Sequence, residues 1–428
     1  MENVNGFDKW VGQLNAPSVE ERLAALEALF NCVQEGKLPV PKKGKDVNNH
    51  IHTTYSFSPY SPSKAVWMAY NAGLSTAGII DHDSVSGTRE FIRAGEMIGL
   101  PVTIGAELRI SLAGTALANY HTNCPDQSGI AYITFHGIPH TEIDAVTRFL
   151  APVYEARGCR NRKMVIRLNE ILSPLDIYVD YNKDILPLAQ TGGSVTERHL
   201  LYAVSLKLLD KYRNPENLLS ILSDSFHIMI PDKIKKFLLD EQNPFRDYDL
   251  LGLLKSDLLG KVYIPATDEC LSINQVSAFT KKHGIILAYP YLGDITTSVT
   301  GDKKAQTFED SYLPELFDTI QETSFDAVTY MPSRNTREQL IRLRELCDSY
   351  GFFQISGEDI NQPRQAFVCE AMRDPFFANL YDAAWALIGH ERIASKNLED
   401  GMFSEKTIAQ MPSLEERINY FQKAARET

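Results

Sequence analysis

The chain contains no C-x-x-C pair, and its six cysteines, Cys32, Cys124, Cys159, Cys270, Cys347 and Cys369, are scattered through 428 residues. Neither a zinc ribbon nor a redox dithiol is suggested. A disulfide framework is not expected in a chain this long, so a reducing compartment fits best. Long hydrophobic runs are also missing: none approaches the ~20 residues that a membrane span requires. The stretch MENVNGFDKW at the N-terminus is polar and has no signal-peptide core. These absences predict a cytoplasmic protein that does not enter a membrane. Positive charge is in deficit, with 43 Lys and Arg against 55 Asp and Glu and a net charge of −12. That argues against a nucleic-acid or anionic-membrane binder, because phosphate backbones select basic surfaces. A small phosphorylated substrate needs only a local positive site and remains compatible. There is no internal repeat and no low-complexity tract.

What is present is enough apolar residue, 44%, for a large core. The length allows two or three domains or one α/β barrel with insertions. SVEERLAALEALFNCVQEG opens on a capping-box pattern, Ser18 to Glu21, and predicts a helix over 17–35. KLPVPKKGKD reads as a linker. From residue 46 a strand, DVNNHIHTT, alternates with helices and further apolar strands, TAGIIDHD and LPVTIGAELRI. This rhythm predicts βα units and a parallel sheet or barrel. Roughly 151–280 reads as a helical insertion, the βα rhythm returns over 281–375, and the remainder, 376–428, is mostly helical. Residues 1–45 form an N-terminal helical extension and 46–150 the first part of the barrel.

The chemistry-bearing residues fall at strand ends. His50 and His52 sit at i and i+2, on one face of a strand, and can reach one point. The next strand ends in Asp81, His82 and Asp83, which are costly to bury without partners. The third carries Glu107, whose simplest role is an ion pair with Arg109 or another base. Three consecutive strands ending in imidazole or carboxylate share one feature, a position at one mouth of one barrel. In barrel enzymes that mouth carries the active site.

The stretch NNHIHTTYSFSPYSPSKAVWMAYNAGLSTAGIIDHDSVSGTREFIRAGEMIGLPVTIGAELRI resembles the first half of a PHP (polymerase and histidinol phosphatase) domain. H-x-H, D-H-D-S-V-S-G and the G-x-E strand occur in order. The resemblance is closest over 46–110 and weaker over 150–205 and 284–361. It implies an α/β fold, a distorted (β/α)7 TIM-like barrel with a helical insertion, and metal-dependent hydrolysis of phosphate esters. Carried over, a first metal would be held by His50, His52, Glu107 and Asp359 of SGEDIN. Mixed imidazole and carboxylate donors suit Zn, Mn or Fe. A second metal would share Glu107 and take His136, with His121 in reserve. Asp81, Asp83 or His82 would serve as acid–base or supporting groups. RNRKMVIRLNEIL and VTERHLLYAV resemble segments of the phosphoesterase branch, implying phosphate contacts from Arg160 and Arg198 and a role for His199. Arg162, Lys163 and Arg167 would add positive charge.

The sequence also departs from the family. Its A-H-P motif reads Ala288-Tyr289-Pro290, so Tyr289 would replace a histidine at the second site. Phe57 or Ser58, and Asn361, stand where a third site needs ligands, leaving only His82 there. One or two divalent metals per chain are therefore expected, not three. His140, His227, His283 and His390 read as surface or core histidines. The expected function is a metal-dependent phosphoesterase acting on a small phosphorylated molecule, with metal-activated water attacking phosphorus. The competing reading is a catalytically degenerate PHP-like protein that binds a ligand or metal. A nuclease role is disfavoured by the acidic charge.

Overall fold

The computed structural model describes residues 2–294 and 309–427. The chain starts with helices α1 (Glu2–Gln13) and α2 (Val19–Gln34). Ser18 caps α2 by accepting from the Glu21 N–H, as the sequence predicts. Leu23, Leu26 and Leu29 of α2 join the main hydrophobic core.

The barrel opens with β1 (Val47–Ile51), α3 (Pro62–Asn71), β2 (Thr76–His82), α4 (Thr88–Ile98) and β3 (Val102–Ser111). The three strands are parallel, with Val47 opposite Thr76 and His82 opposite Glu107. The next strand, β4 (Ile130–His136), breaks the expected pattern by running antiparallel to β3, pairing Glu107 with Thr134 and Arg109 with Tyr132. The reason is local. Residues 112–129 contain no helix, so nothing carries the chain back to the start of the sheet. A parallel return needs a long crossover, usually helical, whereas a loop returns the chain antiparallel.

Helix α5 (Ile143–Leu172) then runs through the expected boundary at 150. Ile143, Val146 and Leu150 pack on the barrel, while Met164, Val165 and Leu168 belong to a second core. That core is completed by α6 (Glu197–Lys211), α7 (Pro215–Asp224), α8 (Asp232–Leu239) and α9 (Arg246–Val262), which form the helical insertion. The two-residue strand β5 (Leu271–Ser272) pairs with the end of β3. There follow α10 (Ile273–Lys282), β6 (Ile286–Pro290), α11 (Leu313–Glu322), β7 (Ala327–Tyr330), α12 (Arg337–Tyr350) and β8 (Phe353–Ser356).

The sheet order is β1-β2-β3-β4-β6-β7-β8, with β5 off the path. β4 is antiparallel to β6 as well, and β6, β7 and β8 are mutually parallel. The ring closes just beyond β8. His52 N–H donates to the Ile360 carbonyl at 2.9 Å, and Ile360 N–H to the His50 carbonyl at 3.0 Å. The result is a distorted seven-stranded TIM-like barrel with one reversed strand and a helical insertion. Helices α13 (Ala378–Ala394), α14 (Glu405–Gln410) and α15 (Leu414–Arg426) follow. Ala383 and Leu387 of α13 pack against Ile286 and Phe353. Gly389 lets α13 lie against α15, since a Cβ there would meet the Phe421 carbonyl oxygen at 2.0 Å. Glu391 accepts from the Ile104 N–H at 2.8 Å, at the start of β3. The opposite mouth, at the ends of β1, β2 and β3, carries the cleft. No helix among the described residues is long and apolar enough to cross a membrane.

Candidate metal centre at the barrel mouth

His50 and His52 bring their Nε2 atoms to 3.2 Å of one another. Glu107 Oε2 lies 3.7 Å from each. Among the described residues these three are the group whose ligand atoms all fall within 4.8 Å of one another. The barrel closure adds Asp359, whose Oδ1 is 3.3 Å from His52 Nε2. Asn361 donates to both Asp359 oxygens, at 2.7 and 2.8 Å, and so orients the carboxylate. From β2, His82 places Nδ1 3.2 Å from Glu107 Oε2 and stacks on His52 at 4.7 Å.

The supporting hydrogen bonds fix a tautomer. Asp81 does not face the cleft. It accepts from Thr53 N–H at 2.7 Å, Thr53 Oγ1 at 2.6 Å and Ser56 Oγ at 2.6 Å. Ser56 gives its one proton to Asp81, so its oxygen accepts from His52 Nδ1–H across 3.2 Å. His52 Nε2 is thereby left as a bare lone pair facing two carboxylates and a second imidazole. That lone pair can accept from His50 Nε2 at 3.2 Å or be given to a cation.

Electrostatics point the same way. Burial lowers the His52 pKa and drives that of His82 well below its ordinary value, the nearby Arg157 and Arg109 adding to the effect. Burial also pulls His50 down, but the adjoining Glu107 carboxylate outweighs it and leaves the pKa raised. Burial pushes Glu107 up, yet the imidazoles of His82, His50 and His52 hold it well below the usual carboxylate range. The donor set is two imidazoles and two carboxylates, which fits Zn, Mn or Fe. His50, His52, Glu107 and Asp359 would hold such an ion.

Other expected site residues lie elsewhere. His136 ends the reversed strand β4. With Ala106 opposite Phe135, it lies beyond the level of Glu107, away from the cleft mouth. It is buried, its pKa lowered to about 3 by burial and by the nearby His50; it faces the same side as Glu107, its Nε2 has no partner among the described residues, and it lies outside the His50–His52–Glu107 group. His121, the reserve, is exposed in the β3–β4 loop. Tyr289 does not point into the cleft. Alternation puts Ala288 on the Thr134 side of β6 and turns Tyr289 outward, where its hydroxyl donates to Glu309 Oε1 at 2.6 Å. Asp83, with φ of 52°, pairs with Arg157. His199 caps α6: its Nδ1 accepts from Thr196 N–H at 2.9 Å, and its ring meets Phe57 edge-on at 5.0 Å. Phe57 itself anchors the insertion core.

Arg160 is not available to a substrate either. It donates to Glu197 and Glu269, each at 2.6 Å. Arg109 reaches Glu197 at 2.9 Å and Glu269 at 3.0 Å, and Arg157 reaches Glu269 at 3.4 Å. Three arginines and three carboxylates, Asp83, Glu197 and Glu269, thus form a buried network joining β3 to the insertion. The sequence carries one hint of it: Arg109 is two residues after Glu107 and shares its face. Arg198 behaves differently. It lines the cleft beside Asp359 and makes no side-chain hydrogen bond or ion pair among the described residues. The cleft, about 190 Å³, is also lined by His50, His82, Glu107 and Tyr132. Tyr132 was not anticipated, because its place at the mouth follows from the reversal of β4.

No protein-family model matches the chain, and no curated protein matches it. Among solved structures, one similar chain is from Bifidobacterium adolescentis and is described as a metal-dependent phosphoesterase, at 18% identity and a TM-score of 0.48. Another is an amidohydrolase from Chromobacterium violaceum, solved with sulfate and no metal, at 15% identity and a TM-score of 0.48. Each match covers 75% of this chain and 89% of the other.

Proposed function

We propose that this chain is a metal-dependent hydrolase, and that its substrate is a small phosphate ester. The observation that carries the reading is the convergence of His50, His52, Glu107 and Asp359, with His52 Nε2 bare, at a cleft that also holds Arg198. A divalent cation held by these groups would supply Lewis acidity and lower the pKa of water in the cleft. The protein's part is then positioning. Asp81 holds the Thr53–Ser56 turn and through it His52, and Asn361 holds Asp359. Arg198 offers a planar set of donors suited to a phosphate. In the overall reaction water adds to phosphorus, the ester P–O bond breaks, and the leaving oxygen takes up a proton.

The test is to strip the protein with chelator, reload it separately with Mn, Zn or Fe, and screen small phosphate monoesters and diesters. One or two ions per chain are expected: Tyr289 turns away from the cluster, and His136, with its unpartnered Nε2 on the Glu107 face, is the residue that would serve a second ion. Turnover should vanish on stripping and return on reloading. The turning of Tyr289 away from the cluster also favours a second reading, a protein that binds metal and ligand without turnover. Metal retained with no ester hydrolysed would select it. No metal retained would overturn both.

A further inference from the structure

The reversed strand brings a side chain to the cleft that the parallel reading would have placed elsewhere. Tyr132 lies directly across from Arg109, one inward-facing pair beyond Glu107 and Thr134. Its hydroxyl oxygen accepts from Arg109 Nε at 2.9 Å. The rest of that guanidinium is tied to Glu197 and Glu269, so the buried network fixes where the hydroxyl sits. A phenol has one proton to give. Among the described residues that proton has no acceptor, although the side chain lines the cleft with His82 and Glu107. The Tyr132 ring centroid is 5.9 Å from that of His82. Aromatic residues with one buried face and one polar tip normally find a partner for the tip. Here Arg109 occupies the oxygen but not the proton, and the guanidinium charge polarises the O–H and strengthens its donation to a group in the cleft.

We propose that the Tyr132 hydroxyl, aimed by Arg109, donates a hydrogen bond to an anionic oxygen of the bound substrate. The proposal rests on the phosphoesterase reading and adds a residue to it. Tyr132 is a donor rather than a base, so it needs no proton transfer to act.

The test uses the full chain, metal-loaded, with inorganic phosphate as probe and calorimetry as readout. Tyr132→Phe keeps the ring and removes the donor. It should retain wild-type metal content and weaken phosphate binding roughly 10- to 100-fold, the effect of losing a hydrogen bond to a charged group. Incorporating 3-fluorotyrosine at position 132 makes the phenol more acidic and should tighten phosphate binding, an effect that a purely structural tyrosine would not produce. Wild-type phosphate affinity in Tyr132→Phe would overturn the proposal while leaving the phosphoesterase reading intact. A wild-type protein that holds metal but no phosphate would overturn that reading and this proposal with it.

Discussion

Two clusters of charged side chains meet at the same barrel mouth, and they are built on opposite accounts. In the arginine cluster every charge is answered: Arg109, Arg157 and Arg160 face Asp83, Glu197 and Glu269 at ion-pair distance. In the histidine cluster the charges do not close. Glu107 and Asp359 face imidazoles, one of which presents a bare nitrogen. The first cluster needs nothing from outside and holds the insertion on the barrel. The second offers a set of donors that a cation would complete. Buried charge alone therefore does not mark a functional site. What marks it is buried charge that the protein leaves unbalanced.

The sharpest way to break this contrast is to remove the ligand that the histidine cluster shares. Glu107→Gln should abolish metal retention, read by elemental analysis, with little loss of melting temperature in chelator. Loss of fold without loss of metal would reverse the two assignments. The next effect belongs to the arginine cluster. Glu269→Gln leaves buried guanidinium charge uncompensated, which costs about 3–5 kcal/mol. Chemical denaturation should show that loss, while the folded fraction still binds metal.

Asp81→Asn probes the support of the metal ligands rather than the ligands themselves. Loosening the Ser56 contact to His52 should weaken metal affinity roughly 10- to 100-fold, measured by competition with a chelating dye. An unchanged affinity would mean that the Asp81 contacts are only structural.

The gentlest probe is acid. Burial holds His199 at about 3 against an ordinary 6.5. Its folded pKa is depressed, so the stability it contributes is present above 6.5 and is lost as pH falls toward 3. The unfolded chain takes up a proton that the folded one refuses. Gln at this position can still cap α6, since the third helical residue of a capping box is commonly Gln. His199→Gln should therefore flatten the fall in melting temperature between pH 7 and pH 5. Glu269→Gln should leave that slope unchanged, because the ordinary pKa of Glu269 is 4.5 and its own is lowered further.

By itself the sequence determined the elements and the ends of the first three strands. Apolar periodicity and caps such as Ser18 are local, so the helices and strands were legible, and so was the pairing of His50 with His52 at i and i+2. Glu107 was legible because it lies within the next apolar strand but one, which runs on to Ser111. Asp359 was legible only through the resemblance, since nothing local ties it to His52; the hydrogen bonds around Ile360 do that. Strand direction and strand facing were left to the tertiary structure. β4 reverses because 112–129 holds no helix to carry the chain back, and that one reversal sets His136 deeper in the barrel than Glu107 and brings Tyr132 to the cleft. Alternation says that Ala288 and Tyr289 face opposite ways, but only the register with Thr134 decides which of them faces inward. The arginines of α5 show the same limit. A basic helix face reads alike whether it meets water, phosphate or carboxylate, and it took Glu197 and Glu269, distant in the chain, to decide the matter for Arg160. Local physics sets what each residue can do, and long-range packing sets which partner it finds.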